Sequence, residues 1–74
     1  MTDLQKEHED LAKAELDIIA GEKRITEHIV RIQKMKDTGQ STTRAEEMLR
    51  TLEETLEAWR GHRQAILDTI ARLE

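Results

Sequence analysis

The stretch Lys36-Asp37-Thr38-Gly39-Gln40-Ser41-Thr42-Thr43 is the one break in a chain of 74 residues that otherwise reads as helix. Proline is absent and only three glycines occur, so little else in the sequence interrupts a helical backbone. Gly39 suits the left-handed residue that closes a helix, and Lys34 and Lys36 favour the negative end of the preceding helix dipole. On the far side, Thr43 followed by Glu46 is a capping-box pattern, with Ser41 and Thr42 as alternative caps. Thr2 followed by Gln5 repeats that pattern near the start of the chain. The spacing therefore predicts helices over about residues 3–37 and 43–73, roughly 50 and 45 Å long. A short connection between long helices makes an antiparallel hairpin, so residues 1–74 read as a single all-α, two-helix domain.

Periodicity supports the hairpin. Leu4, Leu11, Ile18, Ile25 and Ile32 recur at intervals of seven in the first helix. In the second, Ala45, Leu49, Leu52, Leu56, Trp59, Arg63, Ile66, Ile70 and Leu73 alternate spacings of four and three. That is the seam of a left-handed coiled coil, interrupted only by Arg63. The second helix confines its large apolar side chains to one arc. The first carries in addition a shoulder of Ala12, Leu16, Ile19 and Val30, roughly 100° or more from the main stripe. One neighbouring helix cannot cover both faces. A second hairpin can, and the expectation is a homodimer forming a four-helix bundle with the first helix nearer its centre. A tetramer, or a different protein docked on the shoulder, is the alternative.

Charge is arranged to match. Lys23, Arg24, Arg31, Lys34 and Lys36 lie before the turn, and Glu46, Glu47, Glu53, Glu54 and Glu57 lie after it. Folding at the turn lays the basic segment beside the acidic one, which favours this register over others.

Composition narrows the class further. A small domain needs a staple or a partner, and with no cysteine there is no disulfide or thiolate site to act as the staple. The formal net charge of −4 argues against general nucleic-acid binding, which works by neutralising phosphates. No apolar run approaches the ~18 residues of a membrane span, and no signal-peptide core is present, so a cytoplasmic location is expected. His8, His28 and His62 are scattered, without the spacing of a zinc or di-iron site. No phosphate loop, nucleophile motif or dinucleotide fingerprint occurs. The expectation is a protein without enzyme activity, metal or cofactor.

The stretch Glu57-Ala58-Trp59-Arg60-Gly61-His62-Arg63 holds the only aromatic residue in the chain. Antiparallel pairing about the turn sets residues whose numbers sum to roughly 80 at one level. Trp59 then lies opposite Gly21, with Gly61 near Ile19 and Ala20. Each mid-helix glycine costs about 1 kcal/mol against alanine, and the space left at Gly21 offsets that by admitting the indole. Ala14 and His28 continue Gly21 along the inner flank. The alternative is an aromatic–basic interaction patch of Trp59, Arg60, His62 and Arg63 that accepts an acidic partner. Arg63 needs either a partner, for which Asp17 and then Glu22 are candidates, or a route to water along its own stem.

A resemblance enters with Gly21-Glu22, Arg24-Ile25, Thr42-Thr43, Ala45-Glu46, Leu49, Thr51, Glu53-Glu54-Thr55 and His62-Arg63. From Gly21 onward the chain resembles a group of small helical-hairpin proteins encoded in alphaproteobacteria. The resemblance implies a bacterial source and brings no assigned role with it. Trp59 departs from that group's pattern. The functional expectation is therefore a non-enzymatic interaction protein, a self-associating hairpin acting as a small adaptor or regulator. The alternative is an RNA-binding dimer by fold-level analogy with the plasmid regulator Rop, which requires a continuous basic face.

Overall fold

The computed structural model describes residues 2–74 and contains two helices, α1 (Asp3–Asp37) and α2 (Thr43–Leu73), packed side by side as an antiparallel hairpin. The body measures 55 × 14 × 14 Å, the proportions of a two-helix rod. Both helix ranges match those predicted from the spacing.

The ends are built as the local chemistry dictates. Thr2 caps α1: its hydroxyl oxygen accepts from the Gln5 amide at 3.1 Å, and the Thr2 amide donates to Gln5 Oε1 at 2.9 Å. Gly39 closes α1 with φ of 73°, the one positive value among the described residues. Around it the Gly39 amide donates to the Lys36 carbonyl at 3.0 Å and the Gln40 amide to the Met35 carbonyl at 2.9 Å. Those paired bonds are a Schellman closure, which satisfies carbonyls that the helix end would leave without donors.

The start of α2 differs from the capping box expected at Thr43. Thr42 is the N-cap, with φ −108° and ψ 4°, and its side chain accepts no backbone hydrogen bond. Its hydroxyl instead donates to Glu46 Oε1 at 3.2 Å, while the Glu46 amide donates to the Thr42 carbonyl at 2.8 Å. A cap outside the extended region cannot turn its oxygen onto the first-turn amides.

Burial follows the heptad spacing from Leu4 to Met35 on α1 and from Ala45 to Ile70 on α2, while Leu73, the last residue of the predicted seam, is exposed at the fraying end of the hairpin. On α1 the inward residues are Leu4, Glu7, Leu11, Ala14, Ile18, Gly21, Ile25, His28, Ile32 and Met35, alternating intervals of three and four. The fully apolar core consists of Ala14, Ile18 and Ile32 from α1 with Leu56, Ile66 and Ile70 from α2. Ala14, Ile66 and Ile70 form its tightest cluster, against which Leu4 and Leu11 pack. No large side chain is completely enclosed among the described residues. Two helices provide one layer of contact, and each core side chain keeps an edge toward solvent.

Candidate interaction surface

Trp59 and Gly21 meet as the levels predict. A Cβ placed on Gly21 would stand 3.1 Å from Trp59 Cζ3 and 3.4 Å from both Trp59 Cε3 and Leu56 Cδ1. The six-membered ring of the indole thus occupies the space that a side chain at 21 would need. Trp59 itself is half-buried: one face lies on the glycine and the other edge reaches solvent. Gly61 is different. A Cβ there meets nothing within 4 Å, so this glycine faces outward and plays no part in the contact. Gly61→Ala is expected to stabilise the protein by up to about 1 kcal/mol, the helix-propensity difference alone, measured as a rise in thermal midpoint.

The four residues grouped as an aromatic–basic patch do not share one surface. Trp59 and Arg63 sit on the inner seam, both half-buried. Arg60 lies on one flank, 3.7 Å from Glu22 across the hairpin and 3.5 Å from Glu57 on its own helix. His62 lies on the opposite flank, where it lines a shallow polar groove with Asp10, Lys13, Ala14 and Asp17. The groove encloses about 280 Å³ and is open to solvent. Seam positions and the two flanks point about a quarter-turn apart on a heptad helix, which is why adjacent numbers diverge.

Arg63 makes no ion pair among the described residues, and neither candidate partner reaches it. Asp17 lines the His62 groove, and Glu22 is engaged by Arg60. The Arg63 stem covers the core edge while its guanidinium reaches water, the snorkelling arrangement. No buried side-chain polar atom lacks a partner among the described residues.

The charge blocks contribute less than their sequence pattern implies. Of the basic residues before the turn, only Lys36 pairs across the hairpin, at 3.5 Å from Glu46. The other cross-helix pair, Glu22 with Arg60, runs with the opposite polarity. Both pairs lie on the same flank, fourteen residues apart on each helix. Arg24, Arg31 and the remaining acids share levels but not flanks. Reversing Glu46 to Lys should therefore reproduce most of the effect of reversing Glu46, Glu47, Glu53 and Glu54 together. The expected loss is about 0.3–1 kcal/mol, partly recovered by salt.

One polar contact between the helices has no counterpart in the sequence reading. His28, on the inner row of α1, places Nε2 2.8 Å from the Ala45 carbonyl in the first turn of α2. A carbonyl only accepts, so Nε2 carries the proton. The signal available was His28 at the seven-residue interval after Gly21, facing the small Ala45. His28→Ala is expected to destabilise by about 1–2 kcal/mol, read from denaturant unfolding.

The last surface is apolar. Leu16, Ile19 and Val30 are 66%, 62% and 49% exposed, on the side of α1 turned away from α2. The neighbouring Ala12 is exposed on the same stripe. Ile29, Met48 and Leu67 are also exposed, on the flanks of the hairpin. Nothing in the described chain covers any of them. No group of His, Cys, Asp or Glu among the described residues has the geometry to hold a metal ion, and no helix is long and apolar enough to cross a membrane. No family profile matches the chain, and no curated protein or solved structure is significantly similar to it.

Proposed function

We propose that this protein is a non-enzymatic interaction module, a helical hairpin that works as a self-associated homodimer and serves as a small adaptor or regulator in the cytoplasm. The observation carrying this reading is the stripe of Leu16, Ile19 and Val30, uncovered by the described chain, whose core encloses no large side chain completely among the described residues. A domain this small gains stability chiefly by burying more apolar surface, and oligomerisation is the route left when disulfides are absent. Exposed contiguous apolar side chains on a soluble helix mark a contact surface. Light scattering after size exclusion should give twice the 8.6 kDa chain mass at micromolar concentration. A cooperatively folded monomer at that concentration overturns the proposal.

A further inference from the structure

We infer that the second copy docks antiparallel along the back of α1, so that the assembly is a layer in the order α2, α1, α1, α2 rather than a square bundle. This rests on the self-association proposed above and specifies its geometry.

Because burial on α1 keeps to alternating intervals of three and four from Leu4 to Met35, the helix follows a 3.5-residue turn. In that frame Ala12 and Ile19 point about 130°, and Leu16 and Val30 about 180°, away from the centre of the face buried on α2. Neighbours of a helix in a square bundle stand roughly 90° apart. The second stripe is on the back of α1, where only a layered arrangement reaches it.

Ala12, Leu16, Ile19, Lys23, Thr26 and Val30 are spaced four, three, four, three, four, which is a second coiled-coil seam. The stripe is symmetric about position 21. An antiparallel copy then sets Ala12 against Val30, Leu16 against Thr26 and Ile19 against the stem of Lys23, and every apolar member is covered. Along one edge Lys13 faces Glu27 of the second copy, and Glu27 faces its Lys13. Ala20 meets its own counterpart on the two-fold axis between them. Along the other edge Glu22 faces Glu22, but each carries its own Arg60 at 3.7 Å. A shift of one heptad sets Glu15 against Glu22 and strands Val30 opposite Gln5. A parallel pairing stacks Lys23 on Lys23. Charge complementarity selects the antiparallel register.

The hairpin exposes 5747 Å², whereas a compact monomer of its mass exposes roughly 4,700 Å². The surplus of about 1,000 Å² is comparable to the roughly 800 Å² that each partner contributes to a stable interface.

The test is a charge swap read together with a distance. Lys13→Glu and Glu27→Lys are each expected to weaken dimerisation on the order of tenfold, since each breaks both symmetric pairs, and the double variant should restore it. Spin labels on Asp37→Cys should lie about 50 Å apart in the dimer, because the labelled ends point in opposite directions. A dimer in which the double variant is no better than the single ones, or in which the labels are close together, overturns the antiparallel layer and leaves self-association standing. A wild-type chain that is monomeric by light scattering overturns both.

Discussion

Leu16→Glu combined with Ile19→Glu is expected to convert the assembly into folded 8.6 kDa monomers at concentrations where the parent chain is dimeric. In the isolated hairpin both side chains are more than three-fifths exposed, so a carboxylate at either site meets water and leaves α1 packed on α2 as before. In the dimer the same two positions are covered. Each copy then brings two carboxylates into the seam, beside Thr26 and Lys23 of its partner, and loses the apolar contact of a leucine and an isoleucine. Full burial of one such side chain is worth about 1.5–3 kcal/mol, and the carboxylate at position 16, which faces only Thr26, adds the cost of an unpaired buried charge. Association should weaken by at least a thousandfold, at about 1.4 kcal/mol per tenfold. Helical content by circular dichroism at high concentration should persist in the monomer. An unchanged mass for the double variant would move the interface elsewhere on the molecule.

The second large effect lies inside the hairpin. Gly21→Leu is expected to destabilise by roughly 1–3 kcal/mol through overpacking, although leucine is the better helix former. The Cβ alone would come within 3.1 Å of the indole, so the ring must shift before the rest of the side chain is accommodated. Trp59→Ala is expected to cost about 2–3 kcal/mol, below the ~3–5 kcal/mol of a fully enclosed aromatic, because one edge of the ring is already in water. The two losses are not independent: with Trp59 replaced by Ala, the Gly21→Leu penalty should largely disappear. A double-mutant cycle in denaturant measures this. Strict additivity of the two losses would contradict the contact. Partial burial also sets the fluorescence, with emission bluer than that of free tryptophan and acrylamide quenching that is reduced but not abolished.

How much of this was legible in the sequence differs by level. The helix bounds were readable because the run around Gly39 is the one cluster of turn and capping residues in a chain without proline, and the seven-residue spacing of Leu4, Leu11, Ile18, Ile25 and Ile32 marks the face that meets α2. The Gly21–Trp59 contact was readable for the same reason, since levels in a two-helix hairpin follow from the position of the turn. What failed was reasoning that used level without flank. The charge blocks lie at matching heights, yet only Lys36 and Glu46 project from the same side, and Asp17 points to His62 rather than to Arg63. Trp59, Arg60, His62 and Arg63 are close in number and divided between the seam and two opposite flanks. The α2 cap was legible only as a set, because Ser41, Thr42 and Thr43 offer caps of similar quality, and Thr42 takes the position. The His28 hydrogen bond depends on side-chain reach across the seam, which spacing alone does not report.

The most direct measurement for the central claim is the thermal midpoint of the wild-type chain over a hundredfold range of protein concentration. If association stabilises the fold, the midpoint rises steadily with concentration, because mass action favours a folded dimer over unfolded monomers. The Leu16→Glu, Ile19→Glu variant should melt lower, at a midpoint independent of concentration. A wild-type midpoint that does not move across that range would show that association adds nothing to the stability of the fold, and would contradict the claim that its second apolar face exists to hold another copy.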